Sequence, residues 1–166
     1  NPNRIDDNTD LGMLAAVGVS FMLVGALKSK LVEIEFIDEN NIPNLSFLLD
    51  LVALGTICDV VPLVGANRAL VKQGLRVMSK RQNNGINALF EVAEIEDIPS
   101  VFHSGFLLGP RINAGGRVGE SSLGAKLLTT DNKSEAKKIS YHLNELNEER
   151  KQLEAEVLDQ AKTLVL

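Results

Sequence analysis

Asp59 lies within an otherwise apolar run, Ala53-Leu54-Gly55-Thr56-Ile57-Cys58-Asp59-Val60-Val61-Pro62-Leu63. A carboxylate that leaves water needs hydrogen bonds, a cation or a metal ion to offset its desolvation. Gly55 and Thr56, just before it, predict a tight backbone approach at this point. The residues alone leave two roles open for Asp59, a structural cap or ion pair and a metal ligand, and they favour the first.

A second pattern combines basic and small residues: Gly109-Pro110-Arg111-Ile112-Asn113-Ala114-Gly115-Gly116-Arg117-Val118-Gly119. Glycines let backbone N–H groups turn toward an anion, and a guanidinium group fits phosphate oxygens. The spacing excludes both a P-loop and a dinucleotide-binding turn. We predict a loop over residues 104–119. It either binds phosphate or holds arginines that pair with acidic neighbours, and the residues favour neither.

The histidines and the cysteine give weaker signals. Neither His103 nor His142 lies in a metal-binding pattern such as H-x-x-x-H. We interpret His142 as a surface or interdomain residue, and His103 as the one that could touch a ligand. Cys58 lacks a nearby partner for nucleophilic catalysis, which indicates a small core residue.

Hydrophobic periodicity predicts a mostly helical chain with one short strand. The predicted helices cover about 11–31, 45–61, 68–80, 86–94, 121–129 and 134 to the end, and the strand covers 32–37. Asn67, Ser121 or Ser122, and Ser134 are the predicted N-caps. Glycines interrupt the apolar segment 11–31 and acidic residues precede it, which indicates a buried helix rather than a membrane span.

The last predicted helix carries a stripe whose spacing alternates between four and three residues: Ile139, Leu143, Leu146, Arg150, Leu153, Val157, Gln160 and Leu164. This spacing is typical of coiled-coil-like packing. About 30 residues would span about 45 Å, which is too long for the core of a small domain. The helix either packs on its own domain or connects to another one, and its length favours a connector.

The amino-acid composition limits the possible folds and functions. The 166 residues are 45% hydrophobic and 4% aromatic, which predicts one domain with an aliphatic core. A net charge of −5 argues against nucleic-acid binding through overall charge but allows a local basic groove. One cysteine suits a reducing cytoplasm. The start at Asn1-Pro2, without methionine, and the end within an apolar pattern predict a piece of a longer protein.

Taken in order, these motifs resemble the RecJ family of single-strand-specific exonucleases, within the DHH phosphoesterases. The resemblance rests on residues 49–63 (LDLVALGTICDVVPL), 67–71 (NRALV) and 109–117 (GPRINAGGR). Residues 1–2, 16–21 and 143–150 are also similar to the family. Nearly the whole chain is covered. Cys58 and Gly115 stand where the family usually has alanine.

The resemblance implies a two-metal site, holding Mn²⁺ or Mg²⁺, that hydrolyses single-stranded DNA from the 5′ end. The family's ligands come from an Asp-x-Asp motif, a further Asp, an Asp-His-His motif and a later Asp, which Asp59 matches. The other ligands are expected upstream of Asn1. Segment 109–117 matches the family's phosphate loop, so Arg117, Arg111 and Asn113, with Gly115 and Gly116, are the implied phosphate-binding residues.

The predicted fold is therefore mostly α in this chain, as part of an α/β DHH domain with a parallel sheet. Residues 1–133 would form the C-terminal part of that domain, and 134–166 a helix leading to a DHHA1-type domain. The parent would be a hydrolase of DNA repair and recombination in the bacterial cytoplasm, away from membranes. With Asp59 as its one metal ligand, the chain alone is expected to be inactive.

Two alternatives remain open. One is another DHH phosphoesterase that acts on oligoribonucleotides or cyclic dinucleotides. The other is a scaffold or interaction module without catalytic activity, which docks through the long C-terminal helix.

Overall fold

The computed structural model describes residues 2–38 and 41–165, and all regular structure within those ranges is helical. Two compact units divide the chain, residues 1–80 and residues 81–166. The prediction of a mostly helical chain is confirmed. The prediction of a strand at 32–37 is wrong.

The helices run in the following order: α1 (Ala16–Glu33), α2 (Leu49–Cys58), α3 (Gly65–Met78), α4 (Asn84–Val92), α5 (Gly109–Val118), α6 (Leu123–Thr129) and α7 (Lys133–Val165). A 3₁₀ turn, Leu45–Leu48, leads into α2. A π-helical turn, His103–Leu108, runs directly into α5.

The predicted strand is replaced by the end of α1. Glu35 adopts a left-handed conformation with φ of 55°. The Phe36 N–H then donates to the Leu31 carbonyl and the Glu35 N–H to the Val32 carbonyl, both at 2.9 Å. This pair of bonds is a Schellman motif, which satisfies the last carbonyls of a helix. The alternation of residues 32–37 therefore belongs to a helix end.

The core of the first unit forms where α2 packs against α3. Its buried apolar side chains are Leu49, Val52, Ala53, Leu54, Ile57, Val71, Val77 and Met78. Gly74 of α3 lies so close to α2 that a Cβ there would overlap the Leu49 carbonyl oxygen. Gly55 plays a similar part toward α1, since its Cβ would lie 2.9 Å from a Val17 methyl group. The predicted close approach at Gly55 is confirmed.

Helix α1 is far more exposed than the sequence predicts. Gly18 is its one buried residue, and Met22, Leu23, Val24 and Leu27 are each between 41% and 68% exposed. The prediction of a buried helix is wrong for this chain, because α1 packs on its own unit mainly near Val17 and Gly18. Among the described residues, no helix combines the length and apolarity needed to cross a membrane.

Asparagines rather than serines cap the helices of the second unit. The Asn83 side chain accepts from the Ile86 N–H at 2.9 Å, at the start of α4. Asn132 accepts from the Ser134 and Glu135 N–H groups, at 2.9 and 3.1 Å, at the start of α7. Ser122 precedes α6, but its hydroxyl donates to Glu120 instead. The predicted helices are present, with different capping residues.

The two halves of α7 differ. Ala136, Ile139, Leu143 and Leu146 are buried, and this half packs against α4, α5 and α6. Every residue from 151 to 164 is exposed. Only the first half of the predicted stripe therefore packs within its own unit.

We expect Gly74→Ala to destabilise the protein, because the added methyl group forces α2 and α3 apart. Overpacking of this kind costs about 1–3 kcal/mol, more than the gain of up to about 1 kcal/mol in helix propensity. Gly25→Ala is the matched control: Gly25 is also helical, but its Cβ would meet nothing within 4 Å. Urea unfolding should give opposite signs for the two variants. Equal stabilisation by both would contradict the packing argument.

Candidate metal-ligand and phosphate-binding residues

Asp59 lies at the C-terminus of α2, as its C-cap residue. Its N–H donates to the Gly55 carbonyl at 3.0 Å, and its side chain is exposed. The sequence predicted a desolvated carboxylate, and this is wrong. Ile57 is buried in the unit, whereas Asp59 and Val60 lie beyond the packed part of α2 and are exposed. No residue in the described ranges donates a hydrogen bond to the Asp59 carboxylate.

The backbone after Asp59 is strained. Val60 has φ of 58°, and its side chain is 88% exposed. A β-branched residue rarely adopts this left-handed conformation, which costs about 1–3 kcal/mol. The Val60 N–H bonds the Ile57 carbonyl at 3.1 Å, so this residue ends α2. The left-handed conformation of Val60 sets the direction in which the chain leaves Asp59.

Asn67 holds the segment that follows. It was predicted as an N-cap, but it lies inside the first turn of α3 and is 2% exposed. Its side-chain amide donates to the Met13 carbonyl at 2.7 Å and the Pro62 carbonyl at 3.0 Å. Helix α3 begins two residues earlier than Asn67, after the extended Val64. Asn67 thus ties the lead-in segment to the turn between α2 and α3.

Asp50 is the buried carboxylate of this unit, at 3% exposure. Burial raises its pKa, although the Leu51 N–H donates to it at 2.7 Å and acts in the opposite direction. Asp50 is not among the site residues that the sequence predicts. Its position within an uninterrupted apolar helix was the available signal.

No group of three or more His, Cys, Asp or Glu side chains comes together as a metal site among residues 2–38 and 41–165. Asp59 therefore belongs to no group of three possible ligands in the described part of the chain. Its carboxylate is a donor suited to hard divalent cations such as Mn²⁺ and Mg²⁺. One such donor leaves most of the coordination sphere of either ion unfilled.

Segment 109–117 is helical, and the prediction of a loop over 104–119 is wrong. Pro110 lies in the first turn of α5, where a proline is tolerated. Gly115 is buried, and its Cβ would lie 3.0 Å from both the Glu120 carbonyl and Leu143 of α7. Glycine here serves close packing. Because the helix uses the backbone N–H groups, any phosphate contact must come from side chains.

Arg111 donates hydrogen bonds within the protein itself. Its Nε donates to the Asn144 side chain at 2.9 Å, and its Nη1 donates to the Leu107 carbonyl at 2.7 Å. Burial lowers the pKa of Arg111, and Glu148 acts in the opposite direction. This arginine links the π-helical turn and α5 to α7.

Asn113, Gly116 and Arg117 form the exposed side of α5. Asn113 and Arg117 are four residues apart, so they share one face of the helix. A Cβ at Gly116 would meet nothing within 4 Å, which leaves open space beside Arg117. This face offers an amide and a guanidinium group to an anion from solvent.

The remaining sequence candidates lie elsewhere. His142 is exposed, with its Nδ1 3.5 Å from Glu145. His103 is half-buried on the π-helical turn, and its buried Nδ1 has no hydrogen-bond partner among the described residues. Cys58, predicted as a small core residue, is half-buried, and burial raises the pKa of its thiol, which makes it a poor nucleophile.

No protein-family model matches the sequence. The chain is 46% identical over 169 residues to the single-stranded-DNA-specific exonuclease RecJ of Escherichia coli K12, with 99% of this chain and 29% of the relative covered. It is 37% identical to RecJ of Thermus thermophilus over 141 residues, 85% of this chain and 20% of that protein. The chain thus spans less than a third of these relatives.

Solved structures give the same match. A crystal structure of exonuclease RecJ bound to manganese has a TM-score of 0.74 and 36% identity, covering 86% of this chain and 34% of that one. The structure of Thermus thermophilus RecJ in complex with Mg²⁺ has a TM-score of 0.75 and 34% identity, covering 96% and 23%.

We expect Asp50→Asn to stabilise the protein at neutral pH. Folding raises the pKa of Asp50, so the wild type loses stability as pH rises from the unfolded pKa through the folded one. The variant lacks this loss, so its advantage should shrink below about pH 4, where Asp50 is protonated in both states. Urea unfolding at pH 4 and pH 7.5 measures the difference. A less stable variant at pH 7.5 would instead indicate a bound counter-charge.

Proposed function

Because this chain is homologous to RecJ along its whole length, we propose that it is part of a metal-dependent exonuclease that degrades single-stranded DNA from the 5′ end. The observation that carries this proposal is the 46% identity over 99% of the chain to a protein named for that activity. Repair and recombination of DNA in the bacterial cytoplasm is the corresponding role.

Asp59 is the proposed metal ligand. Its exposed carboxylate, which accepts no hydrogen bond from the described residues, suits coordination of a divalent cation. The strained Val60 and the anchored Pro62 carbonyl support a fixed position for it. A pair of such ions, when bound, would supply an activated water and stabilise the leaving oxygen. Ligands from outside this chain would complete the site.

Arg117 and Asn113 are the proposed contacts to substrate phosphate. A guanidinium group forms two parallel hydrogen bonds to a phosphate, and an amide can donate one more. Gly116 leaves space for the strand beside them. Arg111 and Gly115 contribute indirectly, because they fix α5 against α7. This division refines the five-residue set taken from the sequence.

The exposed second half of α7 supports its proposed role as a connector to another domain of the same protein, of DHHA1 type, beyond a phosphoesterase domain with a parallel sheet. Exposed Leu153, Val157 and Leu164 give this half an apolar stripe that such a domain could cover. A scaffold role would use the same helix, and activity of the parent protein separates the two. The relatives' names favour single-stranded DNA over oligoribonucleotides or cyclic dinucleotides.

We expect the 166-residue chain by itself to release no nucleotides from 5′-labelled single-stranded DNA in Mn²⁺ or Mg²⁺, because Asp59 alone cannot hold a catalytic metal pair. Denaturing gel analysis at a large molar excess of protein is a sufficient measurement. Cleavage that disappears in Asp59→Asn would show that this expectation is wrong, whereas cleavage that persists in Asp59→Asn would point to contamination.

In the full-length protein that contains this segment, Arg117→Ala should reduce kcat/KM on single-stranded DNA about 10- to 100-fold. The estimate corresponds to the loss of a charged hydrogen bond worth about 1.5–3 kcal/mol. Arg76→Ala is the matched control, since Arg76 is an exposed helical arginine in the other unit. Equal kinetics for the two variants would remove Arg117 from the substrate site.

A further inference from the structure

An unusual pair of aromatic side chains lies on the surface beside the proposed phosphate contacts. Phe102 is 58% exposed and Phe106 is 70% exposed. Their rings stack, with centroids 5.4 Å apart and planes 24° apart. Large apolar side chains that stay exposed as a contiguous patch usually mark an interaction site.

The pair lies at a π-helical turn, which carries Phe106 and begins directly after Phe102. Residues 101–118 form one continuous helix, and its π-helical part, His103–Leu108, separates the α-helical residues on either side. A π-helical insertion within an α-helix is rare and occurs often at functional sites. Phe102 and Phe106 are four residues apart, a spacing that places them on one face, and the edge of His103 meets Phe102 at 6.1 Å between centroids.

The aromatic pair and the polar contacts share one face of this helix. Asn113 is seven residues beyond Phe106 and Arg117 is four beyond Asn113, spacings that keep all three on one side. All are exposed. Eleven residues from Phe106 to Arg117 span about 16 Å. That distance equals about five nucleotide steps of a stacked strand.

The chemistry of this helix face changes from Phe106 to Arg117. A face that packs into a protein interior is apolar throughout, whereas this one has rings at one end and an amide and a guanidinium group at the other. Single-stranded nucleic acid presents flat base faces and phosphates together, and proteins bind it by combining aromatic platforms with cationic side chains. This helix face therefore has both the aromatic rings and the polar groups that bind such a strand.

We propose that Phe102 and Phe106 form a base-stacking platform for the single-stranded DNA whose phosphates Arg117 and Asn113 contact. The inference rests on the proposed function and adds a binding site for bases to it. Stacking on a flat ring accepts any base, so this platform would favour unpaired strands without selecting a sequence. A base-paired duplex would not expose its base faces to these rings.

The test compares two oligonucleotides with equal charge, dT12 and a 12-residue abasic strand, binding to the full-length protein in EDTA to prevent cleavage. Fluorescence anisotropy measures both affinities. We expect Phe106→Ala to weaken dT12 binding at least about fivefold and to leave the abasic strand unaffected, since stacking requires a base. Phe106→Trp should restore dT12 binding. Phe47→Ala, at another exposed phenylalanine, should change neither affinity.

Three results would overturn the platform. One is equal binding of dT12 by wild type and Phe106→Ala. Another is an equal loss of affinity for dT12 and for the abasic strand in Phe106→Ala. A third is a large fall in the Tm of Phe106→Ala while its affinity for dT12 is unchanged, which would mean that another part of the protein covers the rings. Arg117→Ala should weaken both strands equally. If it does while the phenylalanine variants have no effect, stacking is wrong and the phosphate contacts of the proposed function stand.

Discussion

Close backbone contact at glycine is the constraint on which both units depend. Gly74 brings α3 against the Leu49 carbonyl of α2, and Gly85 brings the first turn of α4 against the Leu127 carbonyl of α6. No side chain fits at either point, because a Cβ would overlap a backbone oxygen. An aliphatic core with few aromatic residues cannot fill wide gaps between helices, so its helices must approach closely.

These contacts position the proposed functional residues by fixing whole helices. Once α2 is held against α3, the position of its last turn is set, and Asp59 emerges at its end. Arg111 and Gly115 fix α5 on α7 in the same way, one through a hydrogen bond to Asn144 and the other through close packing. Exposed groups gain a defined direction from rigid elements, which is what pre-organised binding requires.

The first unit also tolerates polar groups that oppose its stability. Asp50 is buried with a raised pKa, and the buried Oδ1 of Asn67 has no hydrogen-bond partner in the described residues. Val60 adds backbone strain. Val60 and Asn67 lie in or next to the segment between α2 and α3 that follows Asp59, whereas Asp50 lies at the other end of α2. Backbone strain such as that at Val60 is typical of functional sites.

The sequence by itself determined the helical class, the approximate positions of every helix except α5, the close approach at Gly55 and the resemblance to the RecJ family, because periodicity and ordered motifs are local properties of the chain. Only the tertiary structure decided exposure and conformation. Asp59 faces solvent although its neighbours are apolar, since the end of α2 leaves both Asp59 and Val60 outside the packed core. The segment around Arg117 is helical despite its glycines, because α5 packs so closely on α7 that a small residue is needed at Gly115. The stacking of Phe102 on Phe106 requires a helix where the sequence predicts a loop, so only the tertiary structure shows that these two rings meet.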